Sequence, residues 1–205
     1  VLLRMQEKKV DLSHLETPFT ENQLVPAPKQ YAYRNKMEYT FGDFVKDGEM
    51  TLGMHKKGNF MSIVTVDQCQ IVDPDFNRIL SATLEFCRER NYSFYHKKSH
   101  RGLMRHLIIR KGERTGEILV NIVTSSQDEF AEEAYAELIC SQPLRNTPVG
   151  VLHTINDSLA DTVSADEVRI LRGRDYYMEK IMGLDFKVSA FSFFQTNVEA
   201  AERLY

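Results

Sequence analysis

The stretch from Asp73 to Asn91 constrains the chain most. Asp73 stands at a helix cap, Pro74 at the first helical position, and Phe76, Ile79, Leu80, Thr83, Leu84 and Cys87 recur at helical spacing. A helix with one such apolar face must lay it on something, and the neighbouring texture is strand-like on both sides. Before it, Tyr33 to Phe41, Glu49 to His55 and Phe60 to Val66 read as short strands joined by turns at Lys46-Asp-Gly48 and Lys57-Gly-Asn59. After it, strands are predicted around Arg105 to Lys111 and Glu117 to Thr124. Ser126-Gln-Asp-Glu129 reads as a capping box for a second helix with Phe130, Ala134, Tyr135 and Leu138 inward and Pro143 as its stop.

A strand from Val149 to Ile155 completes the order helix–strand–strand–helix–strand, which predicts an α+β fold. Its antiparallel sheet would carry two main helices as a split βαβ, ferredoxin-like layer. Val168 to Arg172, Tyr176 to Ile181 and Phe186 to Phe191 add three short strands. Upstream, Val1 to Lys9 reads as a helix tail, and Asp11 to Pro28 as a connection held extended by its prolines. The chain opens on Val1, so its natural start is expected to lie further upstream.

The last sixteen residues read as an apolar extended segment, then Gln195, Thr196 and Asn197, then a helix capped by Asn197. A buried strand ending in polar groups at a helix start is where α/β proteins place ligands. Gln195 as a turn cap and the phenylalanines as core are the alternative.

Composition narrows the class. The 205 residues are 42% hydrophobic and 27% charged, ordinary for a globular protein, and no run approaches the length of a membrane span. The formal net charge of −3 argues against a uniformly basic nucleic-acid binder. Three cysteines without CxxC spacing suit a reducing, cytoplasmic setting, where the triplets Asn91-Tyr-Ser and Asn156-Asp-Ser carry no meaning as glycosylation sites.

A local patch departs from the average. Lys97, Lys98, Arg101, Arg105, Arg110, Lys111 and Arg114, with His96, His100 and His106, face a single acid, Glu113, and Tyr92, Phe94 and Tyr95 run into them. Cations beside stacking rings suit single-stranded or looped RNA. Arg34, Lys36, His55, Lys56 and Lys57 at strand ends and turns join the set of RNA-contact candidates. A solvated loop neutralised by Asp128, Glu129, Glu132 and Glu133 is the alternative. The histidines match no zinc spacing, Cys87 reads as a core thiol, Cys140 as a thiol without function, and Cys69 as at most one ligand of a cluster.

Three blocks in order carry a resemblance. Tyr31-Ala-Tyr-Arg-Asn-Lys-Met-Glu-Tyr-Thr-Phe-Gly-Asp43 resembles the YRNK-type opening of the bacterial RNA (uracil-5-)-methyltransferases, which act on ribosomal or transfer RNA. Leu52-Gly-Met-His-Lys-Lys-Gly58 followed by Val64-Thr-Val-Asp-Gln-Cys69 is the second block. Ser189-Ala-Phe-Ser-Phe-Phe-Gln-Thr-Asn197 resembles the entry to that family's S-adenosylmethionine-binding domain, and His153-Thr-Ile-Asn-Asp-Ser-Leu-Ala160 is a weaker match.

The resemblance implies the central part of a longer enzyme: residues 1–30 a helix tail and linker, 31–188 an α+β domain with an RNA-facing surface, and 189–205 the first strand and helix of a truncated Rossmann-like methyltransferase domain. In the family a cysteine thiolate adds to carbon 6 of a flipped-out uracil, carbon 5 takes the methyl group from S-adenosylmethionine, and a carboxylate assists loss of the carbon-5 proton.

Carried over by residue, Gln195 matches a cofactor contact, Phe193 an aromatic of the base pocket, and Cys69 the last ligand of a 4Fe-4S cluster. No cysteine precedes Cys69, so an intact cluster is not expected in this chain, although the full-length protein could carry one. The glycine-rich cofactor motif, the cysteine nucleophile and the carboxylate base would all lie beyond Tyr205, and this chain is expected to be inactive alone. Its partner is expected to be RNA, ribosomal rather than transfer, with no membrane. A stand-alone, non-catalytic RNA-binding α+β domain and a structural spacer are the rival readings.

Overall fold

The computed structural model describes residues 26–159 and 165–205. The predicted helix tail Val1 to Lys9 and all but the end of the connection after it lie outside the described residues, as does Ala160.

Nine strands and three helices follow one another as β1 (Lys36–Asp43), β2 (Met50–Lys56), β3 (Asn59–Thr65), α1 (Pro74–Glu89), β4 (Met104–Lys111), β5 (Glu117–Thr124), α2 (Glu132–Ser141), β6 (Thr147–Ile155), β7 (Glu167–Gly173), β8 (Tyr176–Ile181), β9 (Leu184–Ser189) and α3 (Val198–Leu204) among the described residues. Seven strands form one sheet in the order β3-β2-β1-β4-β5-β6-β7, and β8 and β9 form a separate hairpin. Every neighbouring pair in the large sheet is antiparallel except β5 and β6, which run parallel across the α2 crossover.

That pairing corrects the split βαβ expectation. A split unit keeps a strand between the two that its helix joins, whereas β5 and β6 are direct neighbours. Ile118-Leu-Val-Asn-Ile-Val123 explains why: a nearly continuous apolar run suits a strand covered on both faces. One face takes α1 and α2, with Leu107, Ile109, Ile118, Val120 and Ile122 packed on Phe76, Ile79, Leu80 and Tyr135. The other takes the β8–β9 hairpin, through Leu119 and Leu152 against Tyr177, Val188 and Ala190. Helix α3 adds a small cluster of Val198 and Ala201 with Ile181 and Phe194.

Helix α1 starts as its sequence dictates, the Asp73 carboxylate accepting the Asp75 N–H at 3.0 Å with Pro74 behind it. Cys87 is buried on its inner face. Helix α2 does not use the Ser126 capping box; it begins at Glu132, and its cap, Ala131, contributes no side-chain bond. The donors of the expected first turn are engaged elsewhere. Ser126 N–H goes to Asp157 at 2.8 Å and Gln127 N–H to the Ser125 hydroxyl at 3.2 Å, while the Gln127 side chain bridges the His100 carbonyl and the Gly102 N–H.

The fully buried Asp75 carboxylate ties the start of α1 to the entry of β6. It accepts the Arg145 N–H at 2.9 Å, the Asn146 N–H at 2.9 Å and the Asn146 side-chain amide at 2.8 Å. Its removal strands several buried donors at once. Asp75→Ala is expected to lower the unfolding free energy by about 3 to 5 kcal/mol, seen as a shifted urea midpoint with an unchanged slope; a loss near zero would contradict this role.

Candidate functional site

The carry-over residues lie on a segment that the sheet holds from one end. The apolar stretch after β9 is not the predicted strand: residues 190 to 197 form a turn and an irregular crossing, and β9 ends at Ser189. The crossing takes its bonds from Asn35, immediately before β1. Asn35 N–H donates to the Thr196 carbonyl at 2.9 Å, its side-chain amide donates to the Gln195 carbonyl at 3.1 Å, and its own carbonyl accepts the Lys111 N–H at 2.8 Å. Asn35 is 2% exposed. Asn197 then caps α3 as predicted, its side chain accepting the Ala200 N–H at 3.0 Å.

Gln195 is half-buried, and its side-chain amide donates to the Tyr205 hydroxyl at 2.9 Å. Phe193, 86% exposed, points away from the core, so the alternative of a packed phenylalanine does not hold for it. Around the clamp runs a chain of ion pairs. Lys111 reaches Asp73 at 2.7 Å and Glu113 at 3.3 Å, and Lys29 reaches Glu113 at 2.7 Å and Glu199 at 2.8 Å. Burial pulls the Lys111 ammonium down, but Asp73 and Glu113 outweigh it and hold its pKa above the usual lysine value. Burial likewise pushes Asp73 up, and hydrogen bonds from Lys111 and the Asp75 N–H bring it below the usual carboxylate value.

Arg34 and Lys36 share this end of β1. The Arg34 guanidinium is turned inward, donating to the Lys36 carbonyl at 3.0 Å and to the Met37 sulfur at 3.1 Å, while Lys36 pairs with Glu38 at 3.6 Å.

The other cations gather at the opposite end of β1, on the order of 25 Å away at ~3.3 Å per strand residue. Two glycines bring them there. A Cβ on Gly42 would stand 2.5 Å from the Ile63 side chain, and one on Gly53 2.0 Å from the Val64 carbonyl oxygen. Their absence lets the β2–β3 hairpin fold back over β1. The hairpin carries exposed His55, Lys56 and Lys57, and His55 Nε2 lies 3.5 Å from Lys97 Nζ. Lys98 and Arg101 are exposed on the same loop as Lys97. Between hairpin and loop opens a cleft of about 420 Å³, lined by Met61 and Ser62 of the hairpin, Lys97 and Lys98 of the loop, and Asp43 and Asp47.

Arg105 is a correction. It is 3% exposed, donates to the Asn156 and Ser158 carbonyls at 2.6 and 2.8 Å, and lies 4.2 Å over the Tyr95 ring. It fastens the loop after β6 and cannot reach RNA. Nothing in a run of positive charge tells which members point inward.

The His153 segment is also structural. His153 Nδ1 meets Glu132 at 2.6 Å and Nε2 meets the Thr124 hydroxyl at 2.8 Å, while Arg169 of β7 donates to Glu132 at 2.9 Å. Burial holds the imidazole below its usual pKa despite Glu132. The group, buried at His153 and Thr124 and open at Arg169, joins β5, α2, β6 and β7.

Cys69 is half-buried just before α1, its carbonyl accepting the Asn77 amide at 3.1 Å; Cys87 is buried and Cys140 exposed. A four-cysteine cluster does not fit these three thiols, and among the described residues no group of three or more His, Cys, Asp or Glu is placed to hold a metal ion. Burial pushes the Cys87 thiol up to about 12, far from the thiolate range that nucleophilic attack needs. No described helix is long and apolar enough to cross a membrane.

No protein-family model matches the chain. An uncharacterized RNA methyltransferase of Clostridium tetani is 52% identical over 179 residues, covering 87% of this chain and 39% of the relative. One from Caldanaerobacter subterraneus is 50% identical over 179 residues (87% and 40%), and one from Clostridium acetobutylicum 48% over 182 residues (89% and 40%). Among solved structures, Pyrococcus abyssi tRNA (uracil-54, C5)-methyltransferase in complex with S-adenosyl-L-homocysteine superposes with a TM-score of 0.69 at 25% identity, over 88% of this chain and 41% of that one. The chain spans about two-fifths of the length of the curated relatives it matches. Over that stretch it is a homologue of proteins named RNA methyltransferases, and it shares the fold of a tRNA uracil-C5 methyltransferase.

Proposed function

We propose that this chain is the central part of an S-adenosylmethionine-dependent RNA (uracil-5-)-methyltransferase, presenting RNA on its basic end and forming one wall of the cofactor and base site at the other. One observation carries the reading. Asn35, from the first block of the resemblance, is hydrogen-bonded to Gln195 and Thr196 of the third, 160 residues later. Blocks that far apart in sequence form one contact.

On this reading Gln195 contacts S-adenosylmethionine, which supplies the methyl group, and the exposed Phe193 stacks against the target base. Residues 31–188 are the RNA-facing domain and 189–205 the start of the methyltransferase part. The substrate is RNA, ribosomal or transfer, in a cytoplasmic setting. By the resemblance the nucleophile and base lie outside this chain, which on this reading transfers no methyl group alone. A 4Fe-4S cluster has no complete ligand set here, and no step depends on one.

The Gln195 side chain contributes about one hydrogen bond to the cofactor. In the full-length protein, Gln195→Ala is therefore expected to weaken S-adenosylmethionine binding about fivefold by calorimetry, with the fold retained; an unchanged affinity would refute the assignment. RNA binding by the basic end depends on released counterions. With three or four phosphates held by residues such as Lys56, Lys57 and Lys98, log K should fall with log salt at a slope of about −2 to −3. Structured RNA that does not bind even at low salt would remove the RNA-facing role.

A further inference from the structure

The cleft at the far end of β1 combines features that a merely solvated charged loop lacks. Met61 lines it and is 42% exposed, and Phe60, 68% exposed, lines the adjoining smaller pocket, which shares Asp43, Met61, His96 and Lys97 with the cleft and holds the Phe94 and His96 rings 4.2 Å apart. A single exposed Phe is unremarkable, but here rings and Met61 adjoin a cleft whose lining carries three lysines. Lys46, Lys97 and Lys98 line the cleft, and Lys56 of the hairpin lies 5.0 Å over the Phe44 ring. The volume of about 420 Å³ is within the range of a small-molecule site.

We infer that this cleft and the pocket adjoining it together bind one unpaired nucleotide of the RNA, its base stacked on Met61 and on Phe60 at the border of the two, and its phosphates held by the lysines of the cleft. This rests on the RNA reading above and specifies where a second nucleotide, remote from the one at Phe193, is gripped. Asp43 sets the orientation. Its carboxylate, already accepting the Asp47 N–H at 2.9 Å, and that of Asp47, which also lines the cleft, repel phosphate, and the Asp43 carboxylate accepts an N–H from a base edge. The base therefore goes in and the phosphate stays out. A protein partner would need acidic side chains opposite the lysines together with an apolar plug, whereas RNA carries both chemistries in every nucleotide. A duplex keeps its bases stacked inside and cannot fill the cleft.

The test uses the full chain, a fluorescein-labelled single-stranded RNA decamer of mixed sequence, and the carbon-13 methyl resonance of Met61. Expected are a shifted Met61 methyl on adding RNA, weaker competition by the same sequence as a duplex, and a Phe60→Ala variant that binds about five- to a hundredfold more weakly with an unchanged salt slope. Phe60 lies at the surface, so the variant should keep the circular dichroism and urea midpoint of the parent. RNA that binds with the Met61 methyl unmoved and with full affinity for Phe60→Ala would overturn the cleft while leaving the RNA reading intact. No binding by the unaltered chain at low salt would overturn both. A Met61 methyl that moves with protein concentration and not with RNA would identify a contact between copies of the chain, and would equally overturn the assignment.

Discussion

The structure turns on one buried amide. Asn35 uses its N–H, its carbonyl and its side-chain amide on three partners in two distant segments: Thr196, Lys111 and Gln195. Only a short side chain with an amide donor can do this without burying a charge, and a buried donor left unmatched would cost about 1 to 3 kcal/mol. Because Asn35 leads straight into β1, the C-terminal crossing is referenced to the middle of the large sheet rather than to its own hairpin. The same bonds bring Lys111 beside Asp73 and Glu113, so that the start of α1 and the end of β4 meet at the clamp through ion pairs.

Strand β1 then has two working ends. At its start the clamp presents Gln195 and Phe193; at its finish stands Asp43, and the folded-back hairpin beyond it presents Lys56, Lys57 and the exposed Phe60. The strand between them fixes their separation, as the proposed RNA substrate, longer than one nucleotide, would require. Gly42 and Gly53 belong to this arrangement, since any side chain there would push the hairpin off the sheet.

What could be read from the sequence followed the range of the forces involved. Asp73 with Pro74, and Asn197, were legible as caps because capping is settled within a few residues. The strands of β1 to β5 were legible from alternation and turn residues. The Ser126 to Glu129 box failed because its donors are claimed by Asp157, Ser125 and the loop around Gly102, which are near in space only. Strand order failed for the same reason: the adjacency of β5 and β6 is a property of the sheet. Ala190 to Phe194 has strand-like composition, yet Asn35 draws the chain that follows it into a crossing. Arg105 sat in a basic run and turned inward to two carbonyls. Asn35 itself lay within the first resemblance block, but nothing local marked it as the residue that would join two of them.

The clamp is tested most directly by native-state hydrogen exchange on Asn35→Ala. The variant keeps the main-chain bonds and loses only the bond to the Gln195 carbonyl. The Ala200 and Ala201 amides, which are bonded to Asn197 in the first turn of α3, should exchange about fivefold faster or more, while the amides of β4 and β5 stay as protected as in the parent. Unchanged protection of α3 would mean that the C-terminal segment is held by its own hairpin and not by the sheet, and the joined site would lose its physical basis.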